Sequence, residues 1–82
     1  MIANRKASRA EAGESDLKSI GRRMREVRGF DMTQEEFAKR LGVSQSQLSK
    51  YERGVAAPAA DVLIRIKEQF QVGIDWLLTG EH

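Results

Sequence analysis

A chain of 82 residues holds one small domain, and a core of that size depends on tight packing or on a partner. One proline and no cysteine exclude a disulfide scaffold and a thiolate metal site and suit a reducing compartment. The formal net charge of +2 is unevenly spread, with eight Lys/Arg against four acids over Met1 to Arg28 and six against eight over the remainder, which favours a polyanionic partner.

Met1 to Glu14 mixes Ala, Ser, Gly and charge with no apolar period, so a flexible tail is expected over 1–14 and one all-α domain over 15–82. A first helix is expected from about Asp16 to Arg28. There Leu17, Ile20, Met24 and Val27 recur at helical spacing, and Lys18, Arg22, Arg23 and Arg25 take other positions. The Arg22-Arg23-Arg25-Arg28 run reads as a solvated face. Gly29 ends this helix, and Phe30 and Met32 are expected to pack the link that follows.

Two helix-start signatures come next, Thr33-Gln34-Glu35-Glu36 and Ser44-Gln45-Ser46-Gln47, with Gly42 between them. In each, a hydroxyl can accept from the backbone N–H three positions on, and Glu36 or Gln47 can reach back to the cap's own N–H. Two capping boxes are therefore expected. Met32 with Phe37 and Val43 with Leu48 supply hydrophobic staples. The result is a helix of about two turns from Gln34 to Leu41, a glycine stop, and at once a second helix. This is a helix-turn-helix.

Within that unit Ala38 allows the two axes to approach, Val43 fills the turn, and Leu48 and Tyr51 form the inward stripe of the second helix. At about 100° per residue, Ser46, Ser49, Lys50 and Arg53 face the other way, with Gln45 and Gln47 on the flanks. After Arg53-Gly54 the loop Val55-Ala56-Ala57-Pro58 leads to a fourth helix, about Ala60 to Phe70, with Leu63, Ile66 and Phe70 inward. A short fifth helix is expected from about Ile74 to Leu78, with Trp76 in the core. Ala59 lacks the side-chain oxygen of a good N-cap and Gln71 stands where glycine closes many helices, so each end is expected to cost about 1 kcal/mol.

From about Asp16 to Glu81 the chain resembles the lambda-repressor-like Cro/Xre family of DNA-binding domains. The resemblance rests on Thr33-Gln34-Glu35-Glu36-Phe37-Ala38, Leu41-Gly42-Val43-Ser44, Tyr51-Glu52-Arg53-Gly54 and Asp75-Trp76-Leu77-Leu78-Thr79-Gly80, in that order and spacing. It implies a compact five-helix fold that binds double-stranded operator DNA, usually as a dimer, with the third helix in the major groove. By position it implies that Gln45, Ser46 and Lys50 read base edges, that Gln34 contacts phosphate, and that Arg28 pairs with Glu52. Arg25 is the alternative partner for Glu52, because the link Gly29-Phe30-Asp31 differs in length from the family's usual one.

The chemistry of the side chains points the same way. Gln offers a donor and an acceptor to adenine N6 and N7, and Lys donates to guanine O6 and N7. Ser49 is small enough to let the backbone approach the bases. Arg53 fits phosphate, and Ser44 and Gln47 lie at the flank. The loop Val55-Ala56-Ala57 lacks the cation often found there, which lowers the expected number of phosphate contacts and the salt slope. The tail's Arg5, Lys6 and Arg9 are either an arm on DNA or simply disordered.

The expected function is a sequence-specific transcriptional regulator of the phage-repressor or Cro-like kind, acting on a palindromic operator in the cytoplasm of a bacterial or phage-infected cell. The alternative is an antitoxin or adaptor that uses the same scaffold to bind protein. Phe70, Ile74, Trp76, Leu77 and Leu78 offer more apolar surface than a short helix buries alone, so they are the expected homodimer contact, formed in solution or only on DNA. The lone histidine is terminal and no nucleophile-base pair is evident, so no enzyme activity, metal, cofactor or small-molecule ligand is expected. No apolar run approaches the ~20 residues that span a bilayer, so no membrane partner is expected.

Overall fold

The two hydroxyl residues that open the central helices do so to different extents. Thr33 Oγ1 accepts from the Glu36 N–H at 3.0 Å and the Glu36 carboxylate accepts from the Thr33 N–H at 2.9 Å, a complete reciprocal box. Ser44 Oγ accepts from the Gln47 N–H at 3.0 Å, but the expected return bond from the Ser44 N–H to the Gln47 side chain does not form. A neutral amide is a weaker acceptor than a carboxylate, and Gln47 does not turn back. Both helices close on a left-handed glycine, Gly42 at φ 73 and Gly54 at φ 78. At each stop the glycine N–H and the next N–H bond back to Lys39 and Ala38, or to Tyr51 and Lys50, the paired closure of a Schellman motif.

The computed structural model describes residues 16–81, so the tail expected over 1–14 lies outside the described residues. Among these residues the chain is all-helical. Its elements are α1 (residues 16–28), α2 (Gln34–Leu41), α3 (Gln45–Arg53), α4 (Ala60–Phe70) and α5 (Ile74–Thr79), arranged as in the lambda-repressor-like fold. Met24, Phe37, Leu41, Leu48, Ile66 and Leu77 are fully buried, and Ile20, Ala38, Tyr51 and Val62 complete the core.

Three expectations about packing are corrected. On α4 it is Val62, not Leu63, that is fully buried; Leu63 packs half-exposed at the edge. Phe30 points wholly into solvent, because the link turns outward after Gly29 (φ 69), and only Met32 packs inward. Leu77 is at 0 % exposure inside the single chain, which removes it from any surface offered to a second copy.

α1 crosses the C-terminal end of α3 at backbone distance. A Cβ on Gly21 would lie 2.5 Å from the carbonyl oxygens of both Tyr51 and Glu52, so a glycine that costs about 1 kcal/mol in mid-helix is required here. Arg28 and Glu52 then meet through two parallel bonds, Nε to Oε2 at 2.9 Å and Nη2 to Oε1 at 3.0 Å, with Glu52 only 3 % exposed. Arg25 reaches the same residue differently, donating to its backbone carbonyl.

That last contact is one of a set. The last carbonyls of a helix have no partner within it and carry its negative dipole end, so cationic donors favour them. Arg65 Nη1 donates to Leu41 O at 2.7 Å and Gln69 Nε2 to Arg40 O at 2.8 Å at the end of α2. Arg23 Nη1 donates to Leu77 O at 3.0 Å in the last turn of α5. The arginine run of α1 is therefore not one solvated face. Three of its members hold other elements, and Arg22 pairs at 4.0 Å with Glu26.

α4 lacks both of its end devices. Ala59 makes no side-chain cap bond, and Gln71 sits at φ 55, the one non-glycine residue with positive φ among the described residues. Ala59→Ser is expected to add about 1 kcal/mol by accepting from the first-turn N–H groups. Gln71→Gly is expected to add about 1 kcal/mol by removing the left-handed penalty. The two ends are independent, so urea unfolding of the double variant should give the sum within about 0.5 kcal/mol. Gly21→Ala, measured the same way, should lose about 1–3 kcal/mol through the forced separation of α1 and α3.

Candidate nucleic-acid interface

The inward stripe of α3 is Leu48, Tyr51 and Glu52, all buried, and its anchoring leaves the opposite side to solvent. Gln45, Ser46, Lys50 and Arg53 are exposed there, and Gln47 and Ser49 are half-buried. Gln34, at the first turn of α2, joins Gln45, Ser46, Ser49 and Arg53 to line one shallow cleft. Lys50 and Gln47 lie on the helix outside that lining, and the Ser44 oxygen accepts its cap bond while its O–H remains able to donate. The first turn of α3 carries no acid, so the positive end of its dipole is not offset by a neighbouring carboxylate.

A chain of hydrogen bonds runs into this cleft from the protein interior. Glu52 Oε1, already bonded to Arg28, also accepts from Gln34 Nε2 at 3.0 Å. Gln34 Oε1 in turn accepts from Gln45 Nε2 at 3.3 Å. A carboxylate can only accept, so Gln34 must present its NH2 inward and its oxygen toward Gln45. Gln45 must then present its NH2 to Gln34, which leaves its carbonyl oxygen and its second N–H for an external partner. The acceptor-only end of the chain thus sets the amide orientation at its exposed end. Among the described residues no buried side-chain nitrogen or oxygen is left without a partner.

At the far end of the cleft Arg53 Nε donates to Ser49 Oγ at 3.2 Å. This holds the arginine stem along the helix, and it uses one lone pair of the Ser49 hydroxyl while leaving its O–H to donate. The loop after α3 adds no cation, since Val55-Ala56-Ala57-Pro58 is uncharged.

The structure therefore brings Gln34, Gln45, Ser46, Ser49 and Arg53 together and leaves Lys50 beside them. Reading by position treated Gln34 as a separate outer contact and missed its place between Glu52 and Gln45. The signal was present in the spacing, because the two glutamines each follow an N-cap and so occupy matching first turns of adjacent helices.

Comparison with known proteins gives the same frame. The chain is 36% identical over 63 residues to the HTH-type transcriptional regulator ImmR of Bacillus subtilis, covering 73% of this chain and 48% of that protein. It is 43% identical over 54 residues to the HTH-type transcriptional activator BcrR of Enterococcus faecalis, covering 66% of this chain and 26% of the relative. A putative HTH-type transcriptional regulatory protein of Pyrococcus furiosus is 39% identical over 64 residues, covering 74% of this chain and 20% of its own length. The chain thus spans about half the length of the first of these relatives and less of the others. No solved structure gives a significant match. A helix-turn-helix family model matches residues 22–77, from the middle of α1 through the buried Leu77 of α5, and the chain belongs to the helix-turn-helix family of the Cro/C1 type.

Proposed function

We propose that this chain is a DNA-binding transcriptional regulator, without enzymatic activity, that lays α3 in the major groove of a palindromic operator and acts as a dimer of the phage-repressor or Cro-like kind. The observation that carries this reading is the Gln34–Gln45 pair. Its bonding to Glu52 leaves on Gln45 an outward acceptor and an outward donor side by side, the pattern that adenine N6 and N7 require. Family membership and three relatives named as transcriptional regulators support the same class.

Base reading falls to Gln45 and Ser46 in the cleft and to Lys50 beside it, and Ser49 can donate its O–H while its oxygen accepts from Arg53. Arg53 grips phosphate with its free terminal nitrogens. Gln34 and the backbone N–H groups at the α2 start lie at the cleft edge, where phosphate passes. Ser44 and Gln47 flank the groove.

The dimer contact is assigned to Ile74, Trp76 and Leu78 on α5, which are half-buried, Trp76 and Leu78 packing in part against the core. Ile74 and Trp76 border one shallow depression there with Gly73, Lys67, Asp75 and Glu81. Phe70 contributes less, because its ring meets Phe37 edge-on at 5.4 Å and Arg40 covers it at 5.8 Å. A two-fold axis through this face would set two α3 helices about 34 Å apart on one side of the duplex.

Selection from random oligonucleotides should enrich an inverted repeat, and sedimentation should find two chains per duplex at saturation. On the selected site Gln45→Ala should lose about 1–3 kcal/mol and on scrambled DNA almost nothing. Arg53→Ala should weaken both duplexes alike and reduce the salt slope by about one. Equal losses on the two duplexes for Gln45→Ala would remove it from the reading set.

A further inference from the structure

α5 is too short to hold its own geometry. It has six residues, no side-chain cap at Gly73, and a C-terminal end closed by the Gly80 N–H on Trp76 O. Isolated helices of this length do not persist in water, so its direction is set by what it docks on. Trp76 and Leu78 pack part-buried against the core, and two further contacts fix the end of the helix. Leu77 is buried in the core, and Arg23 of α1 donates to the Leu77 carbonyl at 3.0 Å. The Arg23 guanidinium also lies across Gly80, where φ is 81 and a Cβ would come within 2.6 Å of Nη2.

Arg23 stands two residues before Arg25, which holds the Glu52 carbonyl at the end of α3. Gly21, two residues earlier still, touches the Tyr51 and Glu52 carbonyls at backbone distance. One stretch of α1 thus grips the end of the reading helix and the end of the helix that carries Ile74, Trp76 and Leu78. Arg23 contributes nothing to the cleft itself.

We infer that Arg23 is a positioning residue for operator spacing: its clamp on the Leu77 carbonyl and Gly80 fixes the direction of α5 relative to α3, and through the two-fold contact fixes the half-site separation the dimer accepts. This rests on the proposed dimer at α5. Without the clamp, α5 keeps its apolar contacts through Leu77, Trp76 and Leu78, but its last turn loses the polar hold on α1 and its direction varies. The dimer then accepts several separations, each less well than the native one.

The test uses the intact chain and a series of duplexes in which the selected half-sites are moved apart or together one base pair at a time, with a single half-site duplex as control. The intact chain should prefer one spacing by about ten-fold or more over its neighbours. Arg23→Gln should flatten that preference to about two-fold while binding the single half-site as the intact chain does. Arg23→Met, which keeps the stem and removes the donor, should flatten it too, which keeps the test open if Arg23→Gln does not fold. Arg23→Lys keeps a donor and the charge and should restore much of the preference. In free protein, amide exchange at Leu78 and Gly80 should rise in Arg23→Gln while the α3 amides keep their protection. An Arg23→Gln protein that keeps the sharp spacing preference overturns the inference and leaves the dimer standing. An intact chain indifferent to spacing overturns the dimer reading and this inference with it.

Discussion

Glu52 lies 3 % exposed near the end of α3, with the Arg28 fork on one side and the Gln34 amide on the other. A carboxylate taken out of water must have its lone pairs satisfied, or it costs several kcal/mol. Here both oxygens are engaged by α1 and one of them by α2 as well, so the residue ties three helices at one point. Its position on the inward side of α3 also sets how the helix is rolled, and hence which residues face out. The same acceptor-only chemistry orients Gln34 and then Gln45. Stability and the polarity of the exposed face therefore depend on one group.

The domain is small, and much of its remaining cohesion lies at helix ends. Arg65 and Gln69 hold the last carbonyls of α2, Arg25 that of Glu52, and Arg23 that of Leu77. Each such bond engages a carbonyl that its own helix leaves open and places positive or donor character where the dipole is negative. Glycine serves the same end twice over. Gly21 lets α1 reach the α3 carbonyls, and Gly54, already required by its left-handed turn, leaves no room for a Cβ against Lys18. A fold this short can pack closely only if backbone meets backbone at such points.

Local chemistry was legible in the sequence and distant geometry was not. Thr33, Gly42, Ser44 and Gly54 act within a turn of themselves, so the limits of α2 and α3, the bare cap at Ala59 and the strained Gln71 could all be read from neighbours in the chain. Periodicity alone could not choose between Val62 and Leu63, which lie about 100° apart on α4 and differ only in what α4 docks against. The inward turn of Leu77 likewise follows from what α5 docks against, and the outward turn of Phe30 from the direction the link takes after Gly29. Arginines at four positions of α1 look alike in sequence. Their destinations at Leu77, Glu52 and Glu26 exist only once α3 and α5 have been placed beside it. In the candidate site, the outward set on α3 followed from helical spacing, whereas the bond between Gln34 and Gln45 required the angle between two helices.

Glu52 orients Gln34 and Gln34 orients Gln45, so the proposed base reading requires the two glutamines to act as one unit. A double-mutant cycle measures it directly, with Gln34→Ala, Gln45→Ala and the double variant bound to the selected duplex and to a scrambled one. On the selected duplex the double variant should lose about 1 kcal/mol less than the sum of the two single variants, with the phosphate contact of Gln34 adding separately, and on scrambled DNA the coupling should vanish. Losses that simply add on the selected duplex would contradict this, because Gln34 would then act through its phosphate contact alone and not through Gln45.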